Sequence, residues 1–200
     1  MAWLVVLGGY VLGSILPGEW LVRRRTGRTP HELGDNPGGA GAWRLAGPVA
    51  GITTILFDLA KGALPVAAAD RLGLSGGWLA AAAVAPVAGH NWPFYRPWQG
   101  GRGLGAATGA LFCLAFRSML PAYVVGAAAA LWRRWVPTVG IVAFPLGLVL
   151  MAWHDVPADR VGAAMAVMLA VAVRQLPWVL NQWRQGQPVI PRRGPRGAAR

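Results

Sequence analysis

The stretch Gly89–Gly105, GHNWPFYRPWQGGRGLG, gathers a histidine, an asparagine, two arginines and five glycines within seventeen residues. Its run Gly100-Gly101-Arg102-Gly103 has the makings of an anion cradle. Glycines let backbone N–H groups turn inward at positive φ, and an arginine inside the turn adds a planar cation suited to phosphate. An ordinary glycine-rich loop kept wet by one charge is the plain alternative. A second polar stretch, Thr26 to Gly47, holds His31, Asn36, Gly38 and Arg44 among further glycines. Asn36 either satisfies its own Asn-Pro-Gly-Gly turn or reaches a ligand. Arg44 opens toward apolar sequence, which makes it a functional cation or a snorkelling one.

Asp58 and Lys61 lie three apart in an apolar run, so a helix places both on one face where they can pair. Ionisable residues at membrane depth are functional candidates, and a structural ion pair is the competing reading. His90, after the next apolar run, can act as acid, base or phosphate ligand, or can cap a helix end. Several chemistries have no counterpart in the chain. It has no HExxH, no Cys/His metal spacing, no P-loop and no GxSxG elbow. The few scattered carboxylates do not suggest a glycosidase pair. What remains is cations and backbone donors without an evident nucleophile, which suits positioning and stabilising an already activated anionic substrate.

The segments that must position these groups are hydrophobic. Of 200 residues, 55% are hydrophobic and only 13% charged, with mean hydropathy +0.43. A soluble domain carries roughly a quarter charged residues, so the chain reads as an all-α integral membrane protein. The net charge of +12 suits anionic lipid headgroups and not nucleic acid. Cys113 is the single cysteine and lies in an apolar run, which excludes an internal disulfide. Apolar segments run over 2–22, 48–69, 77–89, 104–116, 119–132, 138–153 and 161–180, and predict about seven transmembrane helices, with five or six as the alternative because 104–116 and 119–132 are short for a full span. Pro17 is expected to kink the first, which reads as a retained helix and not a cleaved signal. One transmembrane domain, 1–186, is expected, followed by a basic, disordered tail over 187–200. If the loops alternate sides, fifteen arginines fall on one side and only Arg71, Arg117 and Arg160 on the other. The positive-inside rule then puts the N-terminus outside, the C-terminus in the cytoplasm and both glycine-rich loops on the cytoplasmic face.

GSILPG in the first segment, the GDNPGGAGAWRLAG loop, LFDLAKGALP, and GHNWPFYRPWQGGRGLGAATG together resemble the PlsY-type bacterial acyl-phosphate:glycerol-3-phosphate acyltransferases. The resemblance runs from about Gly13 to Gly186. It implies a bacterial plasma-membrane enzyme that moves an acyl group from acyl phosphate to the 1-hydroxyl of glycerol 3-phosphate, giving lysophosphatidate. It implies no acyl-enzyme intermediate, no metal and no cofactor. Substrates and membrane lipids are the expected partners, and the oligomeric state stays open. By position, it assigns catalytic roles to Asn36, Arg44 and Arg102. It assigns substrate binding to Gly38, Lys61, His90, Gly100, Gly101, Gly103 and Asn181. The chain departs from the family pattern at Gly34, Ala40, Gly41 and Gly140, where the family carries polar side chains, and at Arg102, where it carries lysine. Each lost hydrogen bond to a charged substrate is worth about 1.5–3 kcal/mol. A relative that only binds lipid or a phosphorylated ligand is therefore the second reading, and a small transporter the third.

Overall fold

The computed structural model describes residues 1–185, and the tail over 187–200 lies outside them. The described residues form eight helices: α1 (Ala2–Gly13), α2 (Pro17–Thr26), α3 (Gly39–Ala46), α4 (Pro48–Arg71), α5 (Gly76–Asn91), α6 (Leu104–Arg133), α7 (Thr138–Trp153) and α8 (Ala158–Arg184). Among the described residues, four stretches are long and apolar enough to cross a bilayer, namely 2–26, 48–71, 104–133 and 158–181. Large apolar side chains such as Leu7, Leu56, Val124 and Leu169 are exposed on them. An outward apolar surface is what a hydrocarbon surrounding requires.

The first crossing is broken, as Pro17 predicts. Proline has no N–H to continue the ladder, and the chain leaves helical geometry at Leu16 before restarting with Pro17 in the first turn of α2. The break frees carbonyls, and side chains from elsewhere satisfy them. The Tyr95 hydroxyl donates to Ser14 O (2.9 Å), and Lys61 Nζ to Ile15 O (2.8 Å).

Two of the expected segments, 104–116 and 119–132, form α6 with no loop between them. It is nevertheless no straight rod. The hydroxyls of Thr108 and Tyr123 are 3.1 Å apart, whereas fifteen residues of straight helix would separate them by about 22 Å. Ala115, with φ −157° and ψ 64°, is the single non-helical residue at which α6 doubles back. Its arms, 104–114 and 116–133, therefore run antiparallel. Counted separately, with α1 and α2 as one, they bring the segments running end to end to seven.

Small residues let these segments pack closely. Gly62 of α4 lies against the backbone of Ala106, and Gly109 of α6 against that of Leu59, so either Cβ would collide with main chain. This is how membrane helices gain van der Waals contact without a hydrophobic driving force. The shared interior is built mainly of alanine, with Val66, Leu79, Leu111, Met119, Met151 and Val167 filling the wider gaps. Arg160 closes one end of the bundle, donating to Asp70 (2.7 Å) and Leu114 O (3.0 Å), and Ser118 meets His154 there at 2.9 Å. The opposite end carries both glycine-rich loops.

Candidate functional site

The first loop is partly helical, which its glycine content conceals. Gly39–Ala46 forms α3 because Ala42 buries against Val22 and Ala50 in a small apolar cluster of its own. Ahead of α3 the chain turns on Asn36, whose Oδ1 accepts from the Gly38 N–H at 3.2 Å. Asn36 thus does satisfy its own turn, and it also lines the hollow described below. Arg44 ends α3 and folds back over this turn. Its Nε donates to Asp35 Oδ2 (2.9 Å) and its Nη2 to Asp35 Oδ1 (2.8 Å), a two-pronged pair that leaves the Arg44 side chain 55% exposed. Partial burial works against the ionised Asp35 carboxyl, but Arg44 and the Asn36 N–H outweigh it and hold it below the usual aspartate range.

The second loop, 92–103, is fastened by its neighbours. Helix α5 extends through His90 and Asn91, so both lie in its buried last turn and not in the loop. The Tyr10 hydroxyl donates to Trp92 O (2.7 Å), and Arg96 pairs with Glu19 (2.9 Å). The Gly101 N–H donates to His90 O at 2.9 Å, and a side chain at Gly101 would run into the His90 ring. Gly103 takes φ +75° and lies against the Asn91 side chain, a conformation open to glycine at little cost.

Arg174, on α8, belongs to this arrangement although sequence reading weighed it only as one of the topology-setting arginines. Its guanidinium donates to Gly101 O (3.1 Å), Gly100 O (3.2 Å) and Trp98 O (3.5 Å), and lies 5.9 Å from the Trp92 ring. A planar fork can fix several peptide groups at once in this way. No motif marks it, because its partners are main-chain carbonyls more than seventy residues away.

The two loops meet. His31 Nε2 is 2.6 Å from Gln99 O, and beside that contact lies a hollow of about 390 Å³ lined by Asp35, Asn36, Gly100, Gly101, Arg102 and Arg174, with Trp178 at its edge. Arg102 is held 5.7 Å from the Trp178 ring. Partial burial, with Arg44 nearby, pulls its pKa below the ordinary arginine value against the influence of Asp35, and an arginine so shifted is still a cation.

Three of the expected substrate-binding residues lie elsewhere. Lys61 and His90 sit beneath the second loop, almost fully buried around Asp58, with Lys61 Nζ at 2.8 Å and His90 Nδ1 at 3.3 Å from Asp58 Oδ1. Lys61 also caps Ile15 O, so this cluster joins the broken first crossing to the base of the Gly101 turn. Asn181 is exposed near the end of α8, where its Oδ1 accepts from Gln185 (3.3 Å) and it does not line the hollow. Gly100 and Gly101 do line it, and Gly38 and Gly103 hold the flanking turns.

Comparison with known proteins gives the family and the fold. The profile of the family described as "Glycerol-3-phosphate acyltransferase" matches residues 3–182. A glycerol-3-phosphate acyltransferase of Hahella chejuensis is 32% identical over 173 residues, covering 86% of this chain and 88% of that protein. Glycerol-3-phosphate acyltransferase 1 of Dehalococcoides mccartyi is 45% identical over 121 residues, 59% of this chain and 55% of its own length. Crystal structures of PlsY (YgiH), an integral membrane glycerol 3-phosphate acyltransferase, superpose with TM-scores of 0.77 for its glycerol 3-phosphate form and 0.80 for its lysophosphatidic acid form. At 24% identity, over 96% and 93% of both chains, they attest the shared fold. With the profile spanning nearly its whole length, the chain belongs to the glycerol-3-phosphate acyltransferase family.

Proposed function

We propose that this membrane acyltransferase of phospholipid synthesis transfers an acyl group from an acyl phosphate to the 1-hydroxyl of glycerol 3-phosphate in the hollow between its two glycine-rich loops. The observation that carries the reading is the convergence of Asn36, Arg102 and Arg174 with the Gly100–Gly103 turn around one open space. The substrate hydroxyl attacks the acyl carbonyl, the carbon–oxygen bond to phosphate breaks, and the hydroxyl proton leaves with the phosphate. Acyl phosphate is already activated, so the protein need supply only position and charge stabilisation. Arg102 holds the donor phosphate and Arg44, once released from Asp35, the acceptor phosphate. The Gly101 N–H is committed to His90 O, so donors to the developing oxyanion come from the rest of the turn and from the Arg102 guanidinium. The Asp58–Lys61–His90 cluster acts indirectly by supporting that turn.

Residues 1–186 act as one domain. The arginine distribution favours an N-terminus outside and a C-terminus in the cytoplasm, with the hollow facing the cytoplasm, where a phosphorylated acceptor arrives. Purified protein given acyl phosphate and labelled glycerol 3-phosphate is expected to release inorganic phosphate and lysophosphatidate in equal amounts. Correctly folded protein that forms neither with any acyl phosphate would overturn the proposal and leave a ligand-binding relative in its place.

A further inference from the structure

Asp35 is the one carboxylate among the residues lining the hollow. It faces two guanidinium groups, pairing in two-pronged fashion with Arg44 and lying within electrostatic reach of Arg102. We infer that Asp35 is a tethered competitor for the acceptor phosphate, occupying Arg44 until an incoming phosphate displaces it. The inference rests on the reading that Arg44 is a phosphate ligand of an acyltransferase.

Three observations carry it. Arg44 presents the same Nε and Nη2 edge to Asp35 that a guanidinium uses to grip a phosphate in two-pronged fashion, so one occupant excludes the other. Arg44 is absent from the lining of the hollow while Asp35 is part of it, so the carboxylate stands between this cation and the space. Asp35 is also held from behind: its Oδ1 accepts from the Asn36 N–H at 2.8 Å and from Asn36 Nδ2 at 3.3 Å. It therefore stays beside the site after displacement and repels the bound phosphate. A role as general base for the acceptor hydroxyl fits poorly, because both Asp35 oxygens are already engaged by cationic donors.

The distinguishing signature is a gain of affinity on mutation. Asp35→Asn keeps an oxygen for the Asn36 N–H but removes the charge and one prong of the Arg44 pair. Glycerol 3-phosphate binding to the full-length protein in detergent, measured directly by calorimetry, is expected to tighten about two- to fivefold, the scale of a partly exposed ion pair. Asp35→Ser, which also keeps an acceptor for the Asn36 N–H, carries the same expectation should the first variant fold poorly. Adding Arg44→Gln to either variant should abolish the gain. Unchanged or weaker binding in a folded Asp35 variant would overturn the inference, since a residue that only positions Arg44 loses affinity when removed. Arg44→Gln alone separates the two layers: unchanged binding there refutes Arg44 as phosphate ligand, whereas weakened binding without a gain at Asp35 refutes only the competitor role.

Discussion

Arg102 stands between an aromatic ring and an open space, and each side has a consequence. Trp178 holds the guanidinium in place, while the hollow leaves it able to meet a ligand. Removing it as Arg102→Ala should lower kcat/KM for acyl phosphate about 10- to 100-fold, the scale of a hydrogen bond to a charged group. Arg102→Lys should fall between, because an ammonium keeps the charge but neither the fork nor the flat face laid against Trp178. Steady-state kinetics on the three proteins checks both, and full activity in the alanine variant would remove Arg102 from the mechanism. At this scale, the sequence disclosed side chains with their own local logic. The spacing of Asp58 and Lys61 foretold their pairing, and the Asn36 turn was readable from Asn-Pro-Gly-Gly. The pairing of Arg44 with Asp35 was not, since residues nine apart across a turn are neighbours only once α3 has folded back.

Among the elements, α8 reaches furthest beyond its apparent task. Spacing marks it as a membrane helix, yet Arg174, in its second half, ties down three carbonyls of the second loop. Net hydrogen bonds of this kind contribute about 0.5–1.5 kcal/mol each, so Arg174→Gln should cost roughly tenfold or more in kcat/KM. Arg174→Lys should recover part of it through a single point of attachment. Recovery by lysine in the kinetics, with both variants melting at similar temperatures, would mark a positioning role and not a purely structural one. Element boundaries were legible where composition changes abruptly: the expected 138–153 is α7 residue for residue, bounded by Pro137 and His154. The turn at Ala115 was legible only as a gap, because the apolar arms continue helically to either side of one alanine. Helix α3 was hidden for the opposite reason. Glycine is a poor helix former, and only the burial of Ala42 makes those residues helical.

Taken whole, the molecule is asymmetric from end to end. One end is closed by Arg160 with Asp70 and by Ser118 with His154, while the other opens between two loops. The orientation proposed from the arginine count can be read by labelling. In a Cys113→Ser background, Arg71→Cys should react with an impermeant maleimide on intact cells, and Arg28→Cys only after the membrane is breached. Labelling of Arg28→Cys on intact cells would invert the proposed topology. The number of segments was legible because each apolar run must cross or turn back. The meeting of the loops was not, since no local pattern encodes the contact of His31 with Gln99.

Two tyrosines give the second loop a mechanical character. Tyr10 of α1 holds the carbonyl of Trp92, while Tyr95 of the loop holds that of Ser14 in the broken crossing, so helix and loop are lashed together crosswise. To swing as a lid, this segment would have to break both bonds, at a cost of about 1–3 kcal/mol. Motion of the loop is therefore tied to the broken crossing, so that displacing either one pulls on the other.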